Sequence, residues 1–449
     1  MDITGLIPEF GGVVYTLIAF VVALSVIVAV HEFGHYIVGR WSGIHAEVFS
    51  LGFGPVLLSR VDRRGTRWQV AALPFGGYVK FMGDSNAASG MDEAAMQDAG
   101  RDPVELRKTM HGAPLWARSA TVLAGPVFNF IMSIAVFTVV FMVRGVSTEP
   151  LTVGELRPMP ESGYELQEGD VILSAGGVVP PGFGNSADWE TFRTALPSEP
   201  LLDYRIERDG SELTVKGPYL YPPLIETVAP RSAAMDIGLE PGDVITAVDG
   251  EPIFAFDQLK SRVESSDGRV LKIDVWRSGE TYQFALAPRR TDEPVADGGF
   301  ATHWRIGVVS SMAFVPATEP AGPIEALSGG VSQTYAVISS SLSGLWHMVT
   351  GAISTCNISG PIGIAETSGA MASQGAQSFI WFIAVLSTAV GLLNLFPIPA
   401  LDGGHLVFYI YEAVSGRPPN ERALRVLMSL GIAAILSLMV FALGNDLFC

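Results

Sequence analysis

Residues 28–36 read VAVHEFGHY and close an apolar run that extends from about Val13 to Val38. A run of that length crosses a bilayer, which takes about 20 residues. On a helix, residues four apart share a face, so His31 and His35 point the same way with Glu32 beside them. Two imidazoles at this spacing can hold one zinc ion while the neighbouring carboxylate serves as a base. Ionisable groups in or bordering a spanning helix are costly to keep there and need a chemical reason. The run does not read as a cleavable leader, since MDITGLIPEF carries no Lys or Arg and the apolar stretch continues into HEFGH.

Three more runs are long enough to span: about Trp116 to Val143, Phe379 to Ile398 and Leu424 to Leu443. The composition agrees, with 49% hydrophobic and 16% charged residues in 449, and a mean hydropathy of +0.36. A soluble domain carries about a quarter charged residues. Lys and Arg cluster between runs one and two (Arg40, Arg60, Arg63, Arg64, Arg67, Lys80, Arg101, Arg107, Lys108) and between runs three and four (Arg417, Arg422). By the positive-inside rule these two loops are cytoplasmic, both termini face out, and the segment from about Arg144 to Gln377 is extracytoplasmic. That segment holds most of the acidity: residues 149–300 carry 27 acidic and 13 basic residues, −14 of the net −17. This balance argues against a nucleic-acid partner. With Cys356 and Cys449 alone, neither a disulfide framework nor a cysteine-based zinc cluster is expected, and both read as unpaired thiols.

A hydrolytic zinc takes three protein ligands and keeps one position open. The third candidate is Asp402 in NLFPIPALDGGH, at the cytoplasmic end of run three, on the side where run one also ends. Pro397 and Pro399 break the helix there, and Gly403 and Gly404 allow a sharp turn. Asp402 also reads as an N-cap for HLVFYIYEAV, and His405 is a rival ligand three residues on.

The extracytoplasmic block repeats itself. EGDVILSAGG (168–177) matches PGDVITAVDG (241–250) at an offset of 73 residues, near the size of one small domain. The second copy continues with helix-like EPIFAFDQLKSRVES and two strand-like runs about an R-S-G-E turn, a pattern that resembles PDZ domains. The first copy resembles them less closely, because ELQEGD departs from the usual form and PPGFGNSADW (180–189) is inserted. PDZ domains add an extended peptide to a sheet edge beside a helix, although a repeat by itself is equally a spacer.

HEFGH, the run GPVFN (125–129), the PDZ-like pair and NLFPIPALDGG occur together in the order found in the site-2 protease family, and the chain resembles the bacterial RseP (regulator of sigma-E protease) group nearly end to end. The resemblance implies His31, His35 and Asp402 as ligands of one Zn2+, Glu32 as catalytic base and Asn394 as a substrate-positioning residue. It implies a fold class: a polytopic α-helical membrane protein with four spans, a cytoplasm-side membrane-associated β-hairpin and two extracytoplasmic PDZ-like α+β domains. Its segments are the first span at 1–40, the hairpin and loop at 41–115 with a turn near Asp62 to Gly65, and the second span at 116–147. The PDZ-like domains follow at 148–221 and 222–290, then a linker with interfacial helices at 291–376, the third span at 377–404, and a cytoplasmic helix with the fourth span at 405–449. The implied activity is zinc-dependent cleavage of single-span membrane proteins within the bilayer of the bacterial inner membrane. Expected substrates are an anti-sigma factor and signal-peptide remnants, with peptide or substrate ectodomain at the PDZ-like pair. The acidic insert SNAASGMDEAAMQDAG (85–100) departs from the group. A membrane adaptor with a structural metal would not need Glu32, and a metal transporter would need polar groups along a whole path through the spans rather than one cluster.

Overall fold

A computed structural model of the chain describes residues 6–85, 92–161, 163–183, 186–295 and 299–448. Part of the acidic insert (86–91) lies outside the described residues. The chain divides into two units: residues 1–140, 324–346 and 355–449 form one, and residues 141–323 and 347–354 the other.

The first unit holds α1 (Leu6–Trp41), the strands β1 (Ala46–Val61) and β2 (Arg67–Phe81), the short helices α2 (Glu93–Ala99) and α3 (Pro103–Lys108), and α4 (Leu115–Arg144). Four helical stretches are long and apolar enough to cross a membrane: Gly12–Trp41, Leu115–Arg144, Ala376–Asn394 and Arg422–Phe448. Ala23 and Ile27 of the first pack on Ile383 of the third. Gly34 lies so close to the second that a Cβ there would sit 2.5 Å from the Ala124 carbonyl oxygen.

The hairpin turns at Asp62, whose carboxylate accepts from the Arg64 and Thr66 amides and the Trp68 indole. Its strands are long enough to fold back on themselves. Val48–Leu51 pair on one side with Gly77–Lys80 and on the other with Arg67–Val70, while Leu58–Val61 pair with Arg67–Val70. The sheet is therefore four strips wide, with Gly77–Phe81 and Val56–Val61 on its two edges. The bend falls at Gly52 and Gly54, both at φ above +80°; a Cβ at Gly52 would stand 2.8 Å from the Leu73 carbonyl oxygen.

The second unit contains β3 (Val146–Ser147), β4 (Val153–Leu156), β5 (Val171–Ala175), α5 (Ser186–Ala195), β6 (Leu201–Arg208) and β7 (Ser211–Pro218). The second copy follows with β8 (Ile225–Val228), α6 (Ala233–Asp236), β9 (Val244–Val248), β10 (Glu251–Pro252), α7 (Phe256–Ser265), β11 (Leu271–Arg277) and β12 (Glu280–Leu286). Each copy has its own core, one around Tyr204, Ile172 and Phe192 and the other around Ile245, Leu259 and Val275. The repeated motif does the same work in both. Asp170 and Asp243 are buried, accept an amide three residues back, and take a two-pronged ion pair from Arg208 and Arg277 respectively.

The stretch after Arg290, expected as linker, instead begins with strands: β13 (Arg289–Pro294), β14 (Phe300–Arg305), β15 (Val308–Ser310), β16 (Phe314–Pro316) and β17 (Thr318–Glu319). β15 pairs with β8 of the second copy, β16 with β4 of the first, and β17 with β3. One returning segment thus completes both copies.

The segment LSGGVSQTYAVISSSLSGLWHMV is one continuous helix, α8 (Pro323–Val349). Its Gly330 has no room for a side chain, because a Cβ would sit 2.7 Å from the Ile134 carbonyl oxygen of α4. Then come α9 (Pro361–Ser373), α10 (Ala376–Asn394), α11 (Asp402–Ser415) and α12 (Glu421–Phe448). The Asp446 carboxylate near the end of α12 accepts the amides of Gly360, Ile362 and Gly363 and so caps α9. Gly369 of α9 rests on Thr16 in the N-terminal half of α1. Cys356, just before α9, is disulfide-bonded, which overturns the expectation of two free thiols; the sequence offers Cys449 as the other cysteine.

Candidate metal centre

α10 ends at Asn394, four residues short of the expected Ile398. Pro397 disfavours helical backbone at the residue before it, and the chain reverses over 395–401. The glycines that follow serve differently from the sequence reading. Gly403 and Gly404 are helical, in the first turn of α11, and what they provide is space: a Cβ would sit 2.3 Å from the Leu395 and Phe396 carbonyl oxygens and 2.4 Å from that of Ile398. The left-handed residue of the turn is Ala400, at φ +92°, a conformation that costs an alanine on the order of 1–2 kcal/mol. Pro399 is pinned in turn against Gly431 of α12.

This turn delivers Asp402 to the histidines. Its Oδ2 lies 3.2 Å from His31 Nε2 and 3.5 Å from His35 Nε2, and the two Nε2 atoms are 3.1 Å apart. Asp402 is not an N-cap: Leu401 occupies that position and no side chain caps the helix. Asp402 Oδ2 is buried without a hydrogen-bond partner, although both imidazole nitrogens stand within 3.5 Å of it. Ligands about 2.0–2.1 Å from a tetrahedral ion are separated by about 3.3–3.4 Å, which matches the three distances. The donor set, two imidazole nitrogens and one carboxylate oxygen, suits zinc.

The outer nitrogens of both rings are also held. His35 Nδ1 donates to the Thr121 carbonyl at 2.8 Å, which leaves Nε2 with its lone pair free. His31 Nδ1 is 3.3 Å from the side-chain amide of Asn129, whose Oδ1 is buried without another partner. Turned by 180°, that amide would accept the Nδ1 proton that a metal-bound His31 must carry. Gly125 makes room for both rings, since a Cβ there would stand 2.3 Å from His35 Nε2. Thr121, Gly125 and Asn129 are one turn apart on α4, and sequence reading assigned none of them a role. A buried asparagine four residues after a glycine in an apolar helix was the available signal.

Glu32 is half-buried on the same turn as His31 and accepts a backbone hydrogen bond from Val79 of β2, while a Cβ on Gly77 would sit 3.2 Å from its Cγ. The strip Gly77–Phe81 is the edge of the sheet next to Glu32. Asn394, the last residue of α10, is half-buried. His405 lies in the first turn of α11, outside the group of ligand atoms within 4.8 Å of one another, which comprises His31, His35 and Asp402 among the described residues.

Comparison with known proteins follows the same residues. The sequence pattern described as Peptidase family M50 matches residues 19–438. A protein of Agrobacterium fabrum named as a candidate zinc metalloprotease is 35% identical over 96% of this chain and 95% of its own length. A Rhizobium meliloti protein with the same kind of name is 35% identical over 96% of each chain. The regulator of sigma-E protease RseP of Salmonella typhimurium is 31% identical over 97% of this chain and 98% of its own.

Proposed function

We propose a mechanism and a substrate class for a chain that belongs to peptidase family M50 and is a metalloprotease. His31, His35 and Asp402 hold one zinc ion, and Glu32 is the general base. The observation that carries this reading is the convergence of the three ligand atoms at tetrahedral spacing with Glu32 on the same turn. Zinc, when bound, lowers the pKa of water and polarises a carbonyl. Glu32 takes the proton from the attacking water and returns one to the leaving amine. The Val79 hydrogen bond fixes the carboxylate's direction, and Thr121 and Asn129 keep both imidazoles in the tautomer that leaves Nε2 free.

The substrate is a single-span membrane protein, in the manner of an anti-sigma factor, cut inside the bilayer. A spanning helix hides each carbonyl in an i→i−4 bond and must unwind before attack. The edge strip Gly77–Phe81 offers the unwound segment a strand to lie against, directly beside Glu32. Asn394 positions that segment. The active site faces the cytoplasm of a bacterial inner membrane. Supporting this orientation is the disulfide at Cys356, because disulfides persist on the oxidising side of a membrane. Cys356 precedes α9, which rests on Thr16, whereas the histidines are 15 and 19 residues further along α1, about 22–28 Å away. The two repeats act as PDZ-like modules that screen substrates by ectodomain size.

The test is reconstitution of the full chain with a single-span substrate and mapping of the cut. Cleavage inside the apolar segment is expected, together with acceptance of a bulky-ectodomain substrate once 146–319 is removed. Cuts confined to exposed loops would refute the intramembrane reading, and continued rejection of the bulky substrate would refute the filter.

A further inference from the structure

The outer half of the hairpin concentrates basic side chains. Four arginines, Arg60, Arg63, Arg64 and Arg67, fall within eight residues; all are exposed, and none makes an ion pair among the described residues. The one carboxylate among them, Asp62, is engaged by two amides and the Trp68 indole. Many other arginines are paired: Arg118 with Glu412, Arg208 with Asp170, Arg277 with Asp243, and Arg305 with Glu264 and Glu293. In a chain with 45 acidic and 28 basic residues, four unpaired arginines in one turn leave a local demand for an anion from outside.

The neighbouring side chains say what kind of anion. Leu57 and Leu58 are successive strand residues and so point to opposite faces, yet they are 65% and 73% exposed; Val56 and Val61 are exposed as well. A protein partner covers one face of a strand, whereas a lipid layer surrounds both. The edge strip Val56–Val61 also carries unpaired backbone groups, which hydrocarbon would not tolerate and the headgroup layer would. Arg60 lines a cavity of about 250 Å3 together with Phe49, Leu51, Leu58, Trp68 and Val70, and with Ser59 and Gln69. Its walls are mainly apolar.

We infer that this half of the hairpin is a docking surface for anionic phospholipid. The arginines take the headgroup phosphates, and the cavity beside Arg60 takes the upper part of an acyl chain. The inference rests on the proposed orientation, since anionic lipid is met at the cytoplasmic leaflet, but it requires no proteolysis.

The test is native mass spectrometry of the full chain from mixed micelles holding equal phosphatidylglycerol and phosphatidylcholine. The wild type is expected to retain phosphatidylglycerol in preference, and Glu32→Gln to behave alike, which separates this reading from that of the protease. Changing all four arginines to Gln should lower retention about fivefold per arginine, and changing them to Lys should preserve most of it. Should the fourfold Gln protein not fold, Arg60→Gln with Arg67→Gln reads the same effect at smaller size. Equal retention of the two lipids by the wild type, or an unchanged preference in either Gln variant, overturns the inference. So does displacement of the lipid by millimolar inorganic phosphate or by a soluble acidic peptide, which would mark a plain anion site or a protein-binding one.

Discussion

Asp170 and Asp243 in the repeated unit and Asp402 among the membrane helices are carboxylates withdrawn from water, and they are met in opposite ways. Each of the first two receives both prongs of an arginine and a backbone amide, so its charge is neutralised inside the protein. Asp402 faces two imidazoles that make no hydrogen bond to its Oδ2, and the residue that brings it there, Ala400, is held in a strained conformation. A carboxylate answered by arginine secures a loop. One left open towards two histidines suits the proposed cation site.

The contrast can be broken most severely at Glu32. Glu32→Gln keeps the three ligands, so zinc content by elemental analysis should be unchanged while cleavage falls by about 10³-fold or more; loss of the metal would instead make Glu32 part of the binding set. Asp402→Asn should weaken zinc retention by more than the roughly 100-fold that outer-shell changes cost, with the repeated unit unaltered in amide exchange. Asn129→Ala, one step out from the metal, should cost about 10–100-fold in zinc affinity, measured by chelator competition. Asp243→Asn leaves Arg277 facing a neutral amide and should destabilise the second copy by about 3 kcal/mol, seen as faster exchange across β9 and β11 with zinc unaffected. If that change also released zinc, the two kinds of aspartate would not be independent.

How far these features were legible depended on their distance along the chain. HEFGH announced itself because helical periodicity alone brings His31 and His35 together. The hairpin turn at Asp62 is likewise local, and the motif around Asp170 recurred at Asp243 and so marked itself. The partners were harder. Arg208 and Arg277 lie 38 and 34 residues beyond their aspartates; each opens an R-x-G turn, but the turn alone does not say which carboxylate the side chain meets. Thr121 matters through its backbone carbonyl, a group that every helix contains, and Asn129 through a side-chain amide whose partner lies 98 residues away in the chain. β15, β16 and β17 have two or three residues each, too few for an alternating pattern, and they exist only because β8, β4 and β3 wait for them. Gly403 and Gly404 were visible, but only the packing shows that they yield space rather than bend.

The returning segment decides how this chain can be pruned. Excising 222–290 alone would strand β15 without β8, and excising 148–221 alone would strand β16 without β4, so either cut reports damage to the survivor. Val146 pairs with Glu319, which means that the two ends of the block lie side by side. A short bridge is therefore expected to close the gap when all of 146–319 is lifted out, whereas none is expected to mend the removal of either half alone.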